Sequence, residues 1–393
     1  MLNHLFKLIW NRRKKNVLLI LEILFSFFVM FAVFTFAVYY FQNYRLPYGF
    51  DYERVWTVNY TPPGDINQAD SLRSFRESVN KLIISMPQVE RAGFTSNNTP
   101  FGPVGFAYGS EVSYQGKTFR PDRYMADENY ANVLGVTMTE GRWLSKSDSA
   151  AKEPAAVINV ALRVKLFGSE NALGKLISVN GRNMRISGVA NDLKDKADFI
   201  RPGMAIYLPY RDSGSNTASS ILIKVRQGAG ATFESSLYKT LSRSLANGNV
   251  NIEHLDQKKK LSNNIALVPL LILIIIACFF IINAGLGFFG VLWYNIVIRR
   301  EEIGLRRALG ATGNAVSKQM AGEALMLSSL ALVLGTFLVI QFPLLNVFDL
   351  PASTYLISLI LSVLFIYTLT LLCAFYPAKL SANIYPADAL REE

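Results

Sequence analysis

Four stretches of the chain are apolar at nearly every position, and a long polar stretch separates the first from the second. Residues 17–41 are interrupted only by Glu22 and small polar side chains, and residues 267–289 carry no charge. Residues 322–342 and 355–376 complete the set. A helix needs about 20 residues to cross a hydrocarbon core. The pattern therefore predicts membrane spans at 17–41, 265–297, 322–342 and 355–376. The first run is longer than the ~7–15 apolar residues of a signal peptide, and it ends in an aromatic belt of Tyr39, Tyr40, Phe41 and Tyr44. It reads as a retained anchor.

Residues 42–264 have a different rhythm. Short β-type runs at 155–159, 176–179, 184–189, 205–208 and 221–225 alternate with turn signals such as Pro62-Pro63-Gly64 and Asn180-Gly181. Residues 71–86 place Leu72, Phe75, Val79, Leu82 and Ile83 at helical spacing. The fold class expected is a membrane protein with four transmembrane α-helices and a large α+β extracytoplasmic domain between the first two. That domain is long enough for one large or two small subdomains. Helix carried from residues 241–260 into the second span would form a stalk, and Pro269 is the position for a kink.

Charge supplies the orientation. The net charge is +11, with Lys and Arg gathered beside the apolar runs, a placement of topology rather than of a nucleic-acid face. Lys7, Arg12, Arg13, Lys14 and Lys15 precede the first span. Arg299, Arg300, Arg306, Arg307 and Lys318 lie between the second and third, and Lys379 and Arg391 follow the fourth. The connection 343–354 has neither Lys nor Arg. Residues 1–16, 298–321 and 377–393 are thus expected in the cytoplasm, and 42–264 and 343–354 outside. The run Lys258-Lys259-Lys260 falls on the outer side against that count, which long translocated domains largely escape.

Candidate chemistry is sparse. Cys278 and Cys373 both lie in apolar runs, which excludes a disulfide-stapled outer module. His4 and His254 are far apart with no acidic or thiol cluster, so no metal site and no catalytic constellation can be built. Gly116-Lys117-Thr118 resembles the end of a phosphate-binding loop, but Glu111 stands where the pattern needs glycine, and the triplet reads as strand and turn. Asp192 and Asp195 read as solvated turn residues. His254 falls in the expected stalk. Glu22 lies shallow in its span and reads as a carboxyl near the interface, while Gly285, Gly287 and Gly290 suit close helix packing or a hinge. Without another Walker-type loop, the chain is expected to bind no nucleotide itself.

The segment between the second and third spans is more informative. Glu301, Glu302, Ile303, Gly304, Leu305, Arg306, Arg307, Ala308, Leu309, Gly310 and Ala311 mix apolar positions with charges, as a short amphipathic helix on a membrane surface or in a partner's groove would. An ordinary basic loop serving only topology fits the spacing equally well. Gly310 is the expected helix end.

The run RREEIGLRRALGAT, with Gln319 and Glu323 after it, resembles the signature of the FtsX-like permease family, the membrane subunit of the MacB and LolCDE class of ABC systems. The tail Phe375-Tyr376-Pro377-Ala378-Lys379 and Pro386-Ala387-Asp388-Ala389-Leu390-Arg391 is similar to that family's C-terminus. Residues 124–143, 154–168 and 172–192 resemble the MacB-like periplasmic core in order, whereas 50–114 match weakly. The resemblance implies a bacterial inner-membrane permease subunit that is not itself an enzyme. Residues 301–311 would be a coupling helix seated on a cytoplasmic ABC ATPase, which would bind the ATP. The other implied partners are a second permease, identical or paralogous, membrane lipids, and a periplasmic adaptor or outer-membrane protein. The work implied is mechanotransmission, with export of peptides, small molecules or lipoproteins. A membrane sensor with an outer ligand-binding domain is the competing reading, although it would normally carry a sizeable cytoplasmic output domain.

Overall fold

The computed structural model describes residues 13–61, 69–96, 98–102, 109–149, 151–210, 219–245, 249–298, 300–345 and 347–382. The Pro62-Pro63-Gly64 turn, His4, Arg299 and the tail motif from Pro386 to Arg391 lie outside them. Along the chain come α1 (Arg13–Tyr44), β1 (Val55–Tyr60), α2 (Ala69–Ile84) and β2 (Val89–Ser96). Then follow β3 (Val112–Tyr114), β4 (Lys117–Phe119), β5 (Asp122–Ala126), α3 (Tyr130–Leu134), β6 (Met138–Gly141) and β7 (Ala155–Asn159). Next are α4 (Val160–Phe167), β8 (Leu176–Val179), β9 (Arg182–Ala190), β10 (Ala205–Pro209) and β11 (Ser219–Val225). After α5 (Ala231–Ser244) and β12 (Val250–His254), the rest is helical: α6 (Leu255–Ile298), α7 (Arg300–Ala308), α8 (Gly313–Val339), α9 (Gln341–Leu344) and α10 (Ala352–Ala382).

Among the described residues, four helices are long and apolar enough to cross a membrane, with the α+β domain between the first and second, as the hydropathy pattern predicted. Contacts divide the chain into a helical unit, residues 1–42 with 268–393, and a domain of residues 43–267.

The domain is built on one mixed sheet in the order β12-β1-β11-β2-β5-β10-β7-β9-β8-β3-β4, with β6 on β9. The pairs β5–β10 and β7–β9 are parallel, and the other pairs are antiparallel. Only Thr95 and Ala126 pair between β2 and β5, and the sheet's two halves meet there. Each half has its own core. Val79 and Ile83 of α2 and Leu237 and Leu241 of α5 cover β1, β2 and β11. Leu162 and Leu166 of α4 cover β7, β9 and β10. A third cluster, with Tyr124, Tyr130 and Tyr207, joins the halves. The domain is thus two small subdomains on one sheet.

Asp127 links those halves. Its carboxylate accepts from the backbone N–H groups of Phe94 (2.8 Å), Asn129 (3.0 Å) and Tyr130 (2.9 Å), pinning β2 to the first turn of α3. Burial outweighs these bonds and raises its pKa to about 6. An unfolded chain ionises this carboxyl near 4, so stability is full below that pH and falls as pH rises through about 6. The expected loss is about 3 kcal/mol across that window, and Asp127→Asn should flatten the profile. Denaturant unfolding read by Trp143, whose indole donates to the Asp127 carbonyl at 3.1 Å, checks this. A flat wild-type profile between pH 4 and 6 would refute the assignment.

In the helical unit, Leu19, Ile23, Phe27 and Phe31 of α1 pack with Ala324, Leu327 and Ala331 of α8 and with Tyr355, Ile366 and Ala374 of α10. On α10, Thr354, Ser358, Ser362 and Thr370 are all buried, a stripe of small polar residues that lets helices approach closely. The Ser328 and Thr370 hydroxyls meet at 2.7 Å, and those of Ser329 and Tyr367 at 3.0 Å. α6 is the outlier. It runs unbroken through Pro269, and its apolar window is only 11% buried. It meets α1 through Phe280 stacked on Phe25 and through the Ser26 hydroxyl donating to the Phe280 carbonyl at 3.3 Å, and its small residues Ala277 and Ala284 are buried. Gly287 lies under the Glu22 carboxyl, leaving no room there for a Cβ, whereas a Cβ on Gly290 would meet nothing within 4 Å.

Candidate functional site

α7 is nine residues long, with α6 before it and α8 after it. Ile303 is its anchor, packed on Val316 and Met320 of α8. Arg306 donates to the Glu302 carboxylate (2.5 Å) one turn away and to the Gln319 side-chain carbonyl (3.0 Å) on α8. Gln319 donates in turn to the buried Glu323 (3.4 Å). Glu302, Ile303, Arg306, Val316, Gln319 and Met320 line a shallow groove between the two helices. The helix is therefore held at one face by an apolar contact and at its flank by a chain of polar ones.

The opposite side is bare. Leu305 is 54% exposed and Leu309 81% exposed, and Ala308 is exposed beside them. Gly304 is buried, and Glu301 and Arg307 belong to the helix backbone. The predicted helix over 301–311 starts one residue earlier and stops at Ala308. Gly310 at φ 98° ends it, and the Ala311 N–H turns back to the Arg306 carbonyl at 3.0 Å. Thr312 then caps α8 by accepting from the Ala315 N–H at 3.3 Å. Leu309, Gly310 and Ala311 thus form the exit turn of the helix. The sequence reading missed the anchor pair Val316 and Met320, whose spacing of four at the start of α8 was the available signal.

Elsewhere the structure corrects several expectations. The stalk starts at Leu255, so only the 255–260 part of the expected segment 241–260 belongs to it, because α5 ends at Ser244 and β12 intervenes. His254 closes β12, stacks on Trp56 (4.5 Å between ring centres) and lies 3.1 Å from the Glu234 carboxylate, so it is a packed side chain of the domain. Asp192 and Asp195 are not solvated turn residues. Asp192 accepts from the Ala161 N–H (2.9 Å) at the start of α4, and Asp195 accepts from the Tyr124 hydroxyl. Burial raises the pKa of both carboxyls. Gly116-Lys117-Thr118 is strand and turn as expected, with Gln115 and Gly116 at positive φ between β3 and β4.

Two family models match. The MacB-like periplasmic core domain covers residues 17–235, and the FtsX-like permease C-terminal domain covers residues 274–386. The chain belongs to the MacB-like family of ABC transporter permeases. The core-domain match runs through residues 50–114, where the sequence reading found only weak resemblance. The permease match begins inside α6 and takes in α7, α8 and α10. Among relatives of this permease, the macrolide export ATP-binding/permease protein MacB of Bdellovibrio bacteriovorus is 26% identical over 297 residues, covering 72% of this chain and 46% of the relative. The protein of that name from Aggregatibacter actinomycetemcomitans is 27% identical over 221 residues, 55% of this chain and 34% of its own length. The chain spans less than half the length of these relatives. The crystal structure of the periplasmic region of MacB from Actinobacillus actinomycetemcomitans aligns at 20% identity and TM-score 0.39, over 54% of this chain and 93% of that one. The permease is a multi-pass inner-membrane protein.

Proposed function

We propose that this permease couples ATP hydrolysis by a separate cytoplasmic ATPase to conformational work in its α+β domain, with α7 as the seat of the ATPase. One observation carries the reading. α7 is fixed to α8 through Ile303 and Arg306, while Leu305 on the helix and Leu309 on its exit turn are exposed. A helix anchored on one side and apolar on the other can both hold a partner and pass its movement on. The names of the matched relatives join ATP binding to a permease, which supports an ATPase as that partner.

In this reading the basic residues around α7 and at both ends of the chain face the cytoplasm, and the α+β domain faces outward. A four-helix subunit with few ionisable groups at membrane depth suits transmission of movement better than a polar pathway. Export of small molecules is the work the relatives' names favour, and peptides and lipoproteins are the other cargo classes. Two permeases facing each other would each carry one ATPase.

The test is the double substitution Leu305→Asp with Leu309→Asp. Two docked leucines contribute about 3–6 kcal/mol of burial, so the variant is expected to lose ATPase affinity by about 100-fold or more. The variant should still insert and fold, since both side chains are exposed. ATPase recovery equal to wild type would sink the assignment of α7.

A further inference from the structure

The α+β domain holds the C-terminal end of α1 and the first turns of α6, and it grips both with buried charge. The last carbonyls of a helix lack partners within it. At the end of α1 they are met by Lys194, which is only 1% exposed and donates to the carbonyls of Asn43 (3.0 Å), Tyr44 (3.3 Å) and Leu46 (3.0 Å). Burial pulls the pKa of this ammonium down, while the negative end of the helix dipole favours its charge. Beside it, the Asn43 amide donates to the Phe199 carbonyl (3.0 Å), and Tyr44 stacks on Phe199.

The start of α6 is held by the same loop. Asp198 and Asn263 bond reciprocally: the Asp198 N–H donates to the Asn263 carbonyl oxygen (2.8 Å), and the Asn263 amide donates to the Asp198 carboxylate (2.9 Å). Lys259 lies 3.5 Å from that carboxylate and donates to the Tyr52 hydroxyl (2.9 Å). Lys258 donates to the Thr99 hydroxyl at 2.9 Å. Lys258 and Lys259 of the lysine run that sits oddly in a topology count are thus bonded into the domain.

Tyr48 joins the two grips. Its hydroxyl donates to Asp198 (2.5 Å), and its ring centre lies 4.7 Å from the Lys194 ammonium and 4.5 Å from that of Lys259. The Lys194 N–H also donates to the Tyr48 carbonyl at 2.8 Å. Tyr48, Tyr52 and Leu193 pack on the central core with Tyr124 of β5 and Tyr207 of β10. Two ammonium groups around one carboxylate add little net stability compared with an apolar contact of equal volume. Directional bonds fix rotation and register, which an apolar contact leaves free to slide.

We propose that the Lys194–Tyr48–Asp198–Lys259 network is a rotational lock that makes the ends of α1 and α6 one body with the α+β domain, so that movement of either helix reaches the sheet. Its use in energy coupling rests on the permease function proposed above, whereas the lock itself operates without an ATPase.

Hydrogen exchange on the full chain in detergent tests it. Lys194→Met removes the charge and keeps the apolar stem. Amides at 43–48 are expected to exchange about tenfold faster, and those at 255–263 to accelerate with them, because opening one end frees the other. β7 and β9 should exchange as in wild type. Faster exchange confined to 43–48, or none, would show the ends to be held separately and would overturn the lock. If Lys194→Met does not accumulate, Tyr48→Phe, which keeps the ring and removes the hydroxyl bonded to Asp198 and Lys259, carries the same expectation and the same refutation. A chain that binds no ATPase would refute the permease reading and leave this result unaffected.

Discussion

Asn159→Ala is expected to destabilise the α+β domain by about 3–4 kcal/mol, combining a lost helix cap with newly orphaned buried groups. Asn159 ends β7 and is fully enclosed. Its carbonyl oxygen accepts from the Leu162 N–H (3.0 Å), capping α4, and from the Ala205 N–H (2.9 Å) at the start of β10. Its amide donates to the Gly203 carbonyl at 2.7 Å. Alanine leaves two N–H groups and one carbonyl without partners where water is excluded. Asn159→Asp keeps the two acceptor bonds and loses the donor, so it should lie between alanine and wild type. Denaturant unfolding of the full chain measures both, and a loss below 1 kcal/mol for alanine would contradict this account of the β7–β10 junction.

Gly335→Leu is expected to break the packing of α1 on α8. A Cβ at position 335 would stand 2.6 and 2.8 Å from two ring carbons of Phe27 and 3.2 Å from a methyl of Leu24. Phe27 is wholly buried, so its ring has nowhere to swing. Overpacking typically costs about 1–3 kcal/mol, and the further carbons of leucine place this case at the upper end or beyond. A large loss of monodisperse protein in detergent and a lower unfolding temperature should follow. Phe27→Ala in the same chain opens the space, so the double variant should recover part of the loss, with a coupling of about 1 kcal/mol or more. Independent, additive effects would place the clash elsewhere.

The spans were legible because they depend on composition alone: residues 267–289 exclude charge whatever lies around them. β7 and β8 were legible to the residue, since Pro154 precedes one and the Asn180-Gly181 turn follows the other. The start of α6 was not, because it lies where β12 ends and where Lys258 and Lys259 find their partners. Their partners, Tyr48, Tyr52, Thr99 and Asp198, lie about 60 to 210 positions away in sequence, beyond any local pattern. Asp192 and Asp195 failed for the same reason, since a short polar turn looks alike whether it faces water or, like Asp195, Tyr124. In the α7 segment, charge alternation and Gly310 marked a helix and its end, but nothing local showed which apolar residues anchor it. Ile303 points into α8 and Leu305 and Leu309 point away, a division that only the packing decides.

The measurement that bears most directly on the central claim is purification of this chain from its native membrane in mild detergent, beside the Leu305→Asp, Leu309→Asp variant. The account predicts an ABC ATPase in near-equal amount with the wild-type chain and its loss from a variant that remains inserted and folded. Equal ATPase recovery with both chains, or a wild-type chain that emerges without an ATPase, would contradict it.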